Sequence, residues 1–264
     1  MATLYEVNIS VPPSRLLGLE STFARVSKKI AVGDGMKPDG TDGVHYFVVG
    51  ASAISAIRDS LGAVGRSAPD VKRVLDYACG YGRVLRWLTA YFDRAEVIGV
   101  DADPKAASAA SAATGVETHK LDVSLAQPLG ANFDVIWVGS LFTHLPKSET
   151  SRVLGYLRAA LAPTGIIVFT THGRLVSRRL ALRERDYGLR EESISSLLEQ
   201  VLNEGYGYAD YPNQNGYGIS VSTPSSIIQL IEDGGMSAVY FRDAGWANHQ
   251  DVFASTPNGW SSKA

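Results

Sequence analysis

Near the end of the chain the stretch GWANHQDV (245–252) sets Trp246, Asn248, His249, Gln250 and Asp251 between two apolar runs, MSAVYF (236–241) and VFA (252–254). An imidazole close to a carboxylate can move a proton, and an indole with two amides can hold a small molecule. Two more histidines follow apolar runs: His144 in SLFTHLP (140–146) and His172 in FTTHG (169–173). Three imidazoles and Asp251 could supply a general base with an orienting carboxylate, or could ligate a divalent ion. The general base ranks first, because no close ligand motif such as H-x-x-x-H is present. A single histidine is more often a packing residue, so the weight of these three depends on whether the fold gathers them. His45 and His119 read as structural or surface residues.

A second group consists of carboxylates beside glycines. Asp76 opens DYACGYGR (76–83), Asp101 closes the run VIGVDAD (97–103), and Asp122 lies in KLDV (120–123). Gly80 and Gly82 let a ligand approach the backbone, and the helix that follows offers free N–H groups. A dinucleotide fingerprint needs Gly or Ala at its sixth position, and Leu85 stands there, which weakens a nicotinamide reading. One such acid is usually an ordinary loop residue. Three at successive strand ends make that reading unlikely, and Asp101 can accept hydrogen bonds from ribose hydroxyls.

The elements that must position these groups alternate. VKRVLDYA (71–78), AEVIGVDA (95–102), ETHKLDV (117–123), FDVIWVGS (133–140) and GIIVFTTH (165–172) read as strands. RVLRWLTAYF (83–92), DPKAASAASAAT (103–114) and PKSETSRVLGYLRAALAP (146–163) read as helices, the last closed by Pro163 and Gly165. This βαβ alternation predicts a parallel sheet with right-handed crossovers and a ligand at the carboxyl ends of its strands.

Bulk properties set limits. The chain has 264 residues, 45% of them hydrophobic, a net charge of −2 and one cysteine, Cys79. That charge gives no pull toward nucleic acid or anionic lipid, and no intramolecular disulfide or multi-cysteine zinc site can form. The start MATLYEVNISVPPSR lacks a signal-peptide pattern, and no apolar run is long enough to span a bilayer. A soluble, cytoplasmic protein is the expectation, with no nucleic-acid partner and no membrane.

The segments VLDYACGYGR (74–83), VIGVDAD (97–103), KLDV (120–123), FDVIWVGSLFTHLP (133–146) and LAPTGIIVFTTHG (161–173) together resemble the class I S-adenosylmethionine-dependent methyltransferases, in the family's order over residues 71–173. The resemblance implies an α/β, Rossmann-like, seven-stranded sheet in the order 3-2-1-4-5-7-6, counted along the core, with its strand 7 antiparallel and helices on both faces. It implies S-adenosylmethionine as cofactor and S-adenosylhomocysteine as product. It places Asp76 at the cofactor's amino group, Asp101 at its ribose, and Asp122 with Val123 at its adenine. Gly80, Gly82, Arg83, Ala102, Gly139, Ser140 and Tyr46 complete the expected cofactor set. Ala78, where the family usually has glycine, belongs to it and narrows the turn.

Given that sheet, the run 236–241 ends on the cofactor side and the run 252–254 returns from it. The turn between them then overhangs the same rim as His144 and His172, so three of five histidines are expected to converge. His144 ranks first as base, His249 second, and His172 third as a positioning donor, with Asp251 orienting His249. The chain is read as one methyltransferase domain: 1–70 an N-terminal helical cap, 71–173 the cofactor core, 174–226 an insertion covering the substrate, and 227–264 the last two strands and tail. RLVSRRLALRERDYGLR (174–190) carries six arginines; a salt-bridged solvated helix is favoured over an anion site. Tyr208, Tyr211, Tyr217, Phe142 and Trp246 are the expected substrate contacts. The place that holds a proline-rich motif in nucleobase methyltransferases holds GSLFTHLP (139–146) instead. The whole pattern resembles a bacterial branch acting on hydroxyls of small molecules, sugars or glycans. N-methylation of a small molecule, a non-catalytic cofactor-binding scaffold and a nicotinamide oxidoreductase are the alternatives.

Overall fold

The computed structural model describes residues 2–37 and 43–259. Two stretches of the expected layout, 38–42 of the N-terminal cap and 260–264 of the tail, lie outside the described residues. In chain order the elements are β1 (Leu4–Glu6), α1 (Glu20–Arg25), β2 (Lys29–Ala31), α2 (Val44–Ala63), β3 (Arg73–Tyr77), α3 (Leu85–Tyr91), β4 (Glu96–Asp101), α4 (Pro104–Thr114), β5 (Thr118–Lys120) and β6 (Phe133–Val138). There follow α5 (Lys147–Ala160), β7 (Leu161–Thr171), α6 (Arg174–Ala181), α7 (Glu191–Glu204), β8 (Tyr206–Asp210), β9 (Gly218–Ser222), α8 (Pro224–Asp233), β10 (Met236–Trp246) and β11 (Gln250–Pro257). Seven strands form one sheet in the order β10-β11-β7-β6-β3-β4-β5. Counted along the core this is 6-7-5-4-1-2-3, the expected order. No described helix is long and apolar enough to cross a membrane.

The chain divides into two compact units, one through Trp137 and one from Val138. In the first, β3 pairs in parallel with β4 and with β6, and β4 pairs in parallel with β5. α4 starts and stops where its sequence says it should. The Asp103 side chain accepts the Lys105 N–H, Pro104 takes the first turn, and Gly115 closes the helix at φ 75°. Its alanines 106, 107, 109, 110 and 113 are buried, so a helix of small residues can lie close to its neighbours. The region before β3 is not wholly helical: β1 and β2 pair antiparallel. Three-residue strands leave too little periodicity to be seen in sequence.

α2 packs on α3 through one glycine. Trp87 is completely buried and stacks on Phe23 at 5.6 Å, and Phe23 meets Phe47 edge-on at 5.7 Å. An added Cβ at Gly50 would collide with the Trp87 ring. The small run Gly50-Ala51-Ser52 therefore serves helix contact.

In the second unit, β11 pairs antiparallel with both β7 and β10. β7 begins at Leu161, four residues before Gly165, where the sequence suggested a strand start. Pro163 disfavours helical geometry for Ala162, and Leu161 is already extended at ψ 147°. The GWANHQDV stretch is mostly strand. Trp246 pairs with Gln250, and only a tight turn remains, with Ala247 and Asn248 both at φ 54° as a type I′ hairpin requires. The insertion 174–226 builds a core of its own from Val176, Leu180, Leu189, Ile194, Leu197, Ile219 and Val221. Its glycine–tyrosine segment is the antiparallel hairpin β8–β9. The helix expected over 174–190 stops at Ala181, and the chain then turns at Arg183 and Tyr187, both at positive φ.

Gly50→Ala should overpack the α2–α3 contact and lower stability by about 1–3 kcal/mol. A urea midpoint unchanged from the parent protein would show that the Trp87 ring yields freely.

Candidate functional site

The first group of site residues surrounds the turn after β3. Ala78, Gly80 and Gly82 all have positive φ, at 61°, 53° and 83°. Ala78 thus occupies a conformation that favours glycine, at a cost of roughly 1–2 kcal/mol. The turn is latched from β4: Gly80 N–H donates to Asp101 Oδ2 at 2.7 Å, and Asp103 N–H donates to Asp101 Oδ1 at 2.9 Å. Each carboxylate oxygen keeps a lone pair for a further donor such as a ribose hydroxyl. Ala102 beside it is exposed.

Asp76, the penultimate residue of β3, has 2% of its surface exposed, and its Oδ2 has no hydrogen-bond partner. Burial, reinforced by the Asp101 charge, raises its pKa well above the usual carboxylate range. A cationic amino group is the partner this oxygen lacks. Space above Gly80 is open, since nothing lies within 4 Å of an added Cβ. The residues therefore fit an amine- and ribose-bearing ligand. Asp122 is held by Ser124, whose hydroxyl and N–H donate to it at 2.7 and 3.0 Å and lower its pKa. Val123 is 63% exposed and offers an apolar face to a ring.

Tyr46 and Arg83 are placed differently from Asp76. Tyr46 is buried, and its hydroxyl donates to Asp34 Oδ2 at 2.9 Å. Burial pushes the Tyr46 pKa up and the Arg83 pKa down, with Arg83 in the field of Tyr46 and Asp34. Asp34 was not apparent from sequence, because a lone acid among glycines carries no signature.

The second group lies wholly in the second unit. His144, His172 and His249 line one cavity of about 320 Å³. The insertion contributes Arg185, Asp186, Tyr187, Gly188, Tyr211 and Ile219 to its walls. Of these, only Tyr211 was expected. Tyr187, at φ 53°, stands in a turn whose only sequence mark is the following Gly188.

Each imidazole is fixed. His144 Nδ1–H donates to Gly218 O at 2.8 Å, and His172 Nδ1–H donates to Ser220 O at 3.2 Å. Both rings therefore present a bare Nε2. His249 is reversed: Arg179 Nη1 donates to its Nδ1 at 3.1 Å, so its Nε2 carries the proton. Burial lowers all three pKa values. His172 falls to about 3, with His249, His144 and Arg185 adding to the effect. The rings also stack: Tyr217 on His144 at 4.9 Å, Tyr187 on His249 at 5.8 Å, and His172 edge-on to His249 at 5.5 Å. Among the described residues no group of three His, Cys, Asp or Glu side chains could hold a metal ion.

Several expected residues have other occupations. Asp251 does not orient His249. Its Oδ1 accepts the Ala244 N–H at 2.8 Å, and its Oδ2 lies against Gly173, where any Cβ would collide with it. Strand alternation would put both side chains on one face, but His249 lies in the turn before β11, so the pleat governs Asp251 and not His249, and the irregular stretch of β10 brings the Ala244 N–H to Asp251. Phe142 is completely buried edge-on to Phe169 at 5.2 Å, so it belongs to the core and not to a substrate surface. Trp246 is 3% exposed. Tyr208 donates to Asp210 at 2.6 Å and is absent from the cavity lining. Ser140, at φ 61°, follows the half-buried Gly139 and is held by two neighbours. Its N–H donates to Thr170 Oγ1 at 2.9 Å, and its hydroxyl accepts Gln250 Nε2 at 2.8 Å. Gln250 is thus the amide of the hairpin with an internal task.

Residues 74–165 match a family model described as a methyltransferase domain. The chain thus carries a methyltransferase domain within a fold shared with S-adenosylmethionine-dependent methyltransferases. The amine- and ribose-ready turn of the first unit fits S-adenosylmethionine, the cofactor that the sequence motifs imply. No curated protein matches the methyltransferase sequence. Among solved structures it is similar to DhpI bound to S-adenosylhomocysteine, with 14% identity, TM-score 0.55, and coverage of 94% of this chain and 100% of that one. An S-adenosylmethionine-dependent methyltransferase from Clostridium acetobutylicum ATCC 824 gives 12% identity, TM-score 0.54, and coverage of 83% and 94%. The mitomycin 7-O-methyltransferase MmcR gives 15% identity and TM-score 0.51, over 77% of this chain. The chain spans about half, 54%, of that enzyme's length.

Two predictions follow from these environments. Asp101→Ala removes the latch and the charged acceptor together, so S-adenosylhomocysteine should bind at least about tenfold more weakly by calorimetry. The second concerns pH. His172, depressed to about 3, contributes stability that is lost as pH falls from the ordinary histidine value near 6.5. Asp251, raised to about 6 by burial, acts oppositely: its contribution is present in acid and lost as pH rises from about 4 through 6. Asp251→Asn cancels the second effect. Its stability should therefore drop more steeply than the parent's between pH 6 and 4, by up to about 1.4 kcal/mol per pH unit. Parallel denaturation curves would refute that assignment.

Proposed function

We propose that this protein transfers the methyl group of S-adenosylmethionine to a hydroxyl of a small molecule or sugar held in the histidine cavity. One observation carries the reading: three neutral imidazoles line a single cavity, and two of them, His144 and His172, present unprotonated Nε2 atoms. Bound S-adenosylmethionine supplies an electrophilic methyl on a sulfonium. The chain's own task is to align the acceptor and take its proton.

His144 is the base in this reading. It is half-buried, and Tyr217 stacked on its ring with the Gly218 carbonyl fixes its direction. As the acceptor oxygen bonds to the methyl carbon and the carbon–sulfur bond breaks, the hydroxyl proton passes to His144 Nε2. His172, with a pKa of about 3, is too weak a base and serves as a hydrogen-bond acceptor that orients the hydroxyl. His249 donates from Nε2–H and positions a second acceptor atom. Tyr187, Tyr211 and the β8–β9 hairpin close the cavity as the acceptor's cover. The volume of about 320 Å³ suits a molecule of sugar or small aromatic size.

The test is methyl incorporation from labelled S-adenosylmethionine into a panel of hydroxylated small molecules and sugars. His144→Asn should lower turnover by about a hundredfold or more while cofactor affinity stays within about twofold. Methyl found on nitrogen, or turnover indifferent to His144, would overturn the hydroxyl reading.

A further inference from the structure

The cavity walls are unbalanced in charge. Arg185 is in the lining, with its guanidinium carbon 4.9 Å over the Tyr187 ring. Tyr187 stacks at 11° on His249, and Arg179 donates to the far side of that imidazole. Among the described residues neither guanidinium has a carboxylate partner within ion-pair distance. Arg183, close by in the same segment, is paired with Glu191, which shows what a merely structural arginine does here. The one acid in the lining, Asp186, accepts the Gly188 N–H at 2.9 Å and caps its own turn. Three neutral histidines add no negative charge, and Arg179 and Arg185 both disfavour a proton on His249.

The Arg185 guanidinium beside the His249 Nε2–H, whose tautomer Arg179 fixes from the other edge of the ring, forms an oxyanion-binding arrangement. We propose that the acceptor carries an oxyanion, a carboxylate or a phosphate, seated against Arg185 with His249 Nε2–H, while its hydroxyl meets His144 and Arg179 adds positive charge from behind the His249 ring. This deepens the preceding reading and rests on the cavity being the acceptor site. It also assigns a use to the arginine-rich segment 174–190 beyond solubility.

The experiment follows the His249 imidazole resonances of the full chain by NMR at low ionic strength. Inorganic phosphate and acetate are titrated separately, with chloride at matched ionic strength as control. A saturable shift with phosphate or acetate, at least tenfold weaker in Arg185→Gln and unchanged in Arg183→Gln, is the expected result. Tighter binding of phosphate marks a phosphorylated acceptor; tighter binding of acetate marks a carboxylic acid. A response equal to that of chloride, or equal in Arg185→Gln and the parent, overturns the anion site. Calorimetry with S-adenosylhomocysteine on the same samples keeps the two readings apart. A lost anion response with intact S-adenosylhomocysteine binding sinks only the anion site, and the converse sinks only the methyl-transfer reading.

Discussion

Hydrogen bonds from His144 and His172 to the carbonyls of Gly218 and Ser220 fix two walls of the cavity. Those carbonyls are two residues apart on β9, so strand periodicity points them the same way. β9 is itself tied down by main-chain bonds: Gly218 N–H to His144 O, Ser220 N–H to Thr143 O and Ser222 N–H to His172 O. Strand and histidine loops thus exchange bonds in both directions. Without β9, two buried imidazoles would lose their tautomer, and their Nε2 atoms would no longer be reserved for a ligand. The insertion therefore sets the tautomers of two cavity histidines as well as part of the cavity wall.

Backbone strain marks the same places. Ala78, Ser140, Tyr187 and Ala247 are non-glycine residues at positive φ, and each adjoins a site residue. Such conformations persist only where neighbours over-determine them. Asp101 latches the turn beyond Ala78, Thr170 and Gln250 hold Ser140, and the β10–β11 ladder forces Ala247. A rigid sheet with strained turns at its strand ends keeps polar groups aimed at space that a ligand, and not the protein, must fill. The unpartnered Oδ2 of Asp76 is the clearest instance.

Charge divides the labour. Around the glycine turn the excess is negative, from Asp76 and Asp101, and suits an amine and a ribose. Around the histidines it is positive, from Arg179 and Arg185. An overall charge of −2 hides both fields, because they cancel in the sum.

The α/β class and the acids at 76, 101 and 122 were legible in the residues themselves, and the strand order came with the family resemblance that the motifs carry. Apolar runs, glycines and helix caps are local signals, and a parallel sheet leaves its strand ends few choices. The gathering of His144, His172 and His249 could also be argued, since strand direction alone sets which rim a loop occupies. Only the tertiary structure decided what each group touches. Asp251, two residues from His249, turned to Ala244 in the irregular stretch of β10, because His249 lies in the turn outside the strand that carries Asp251. Arg179, seventy positions away, took the imidazole instead. Phe142 went to the core, while Tyr187 came to the cavity through a turn with no motif. Tautomer, charge balance and cavity walls arise from contacts between residues far apart in the chain, and no local pattern encodes such pairings.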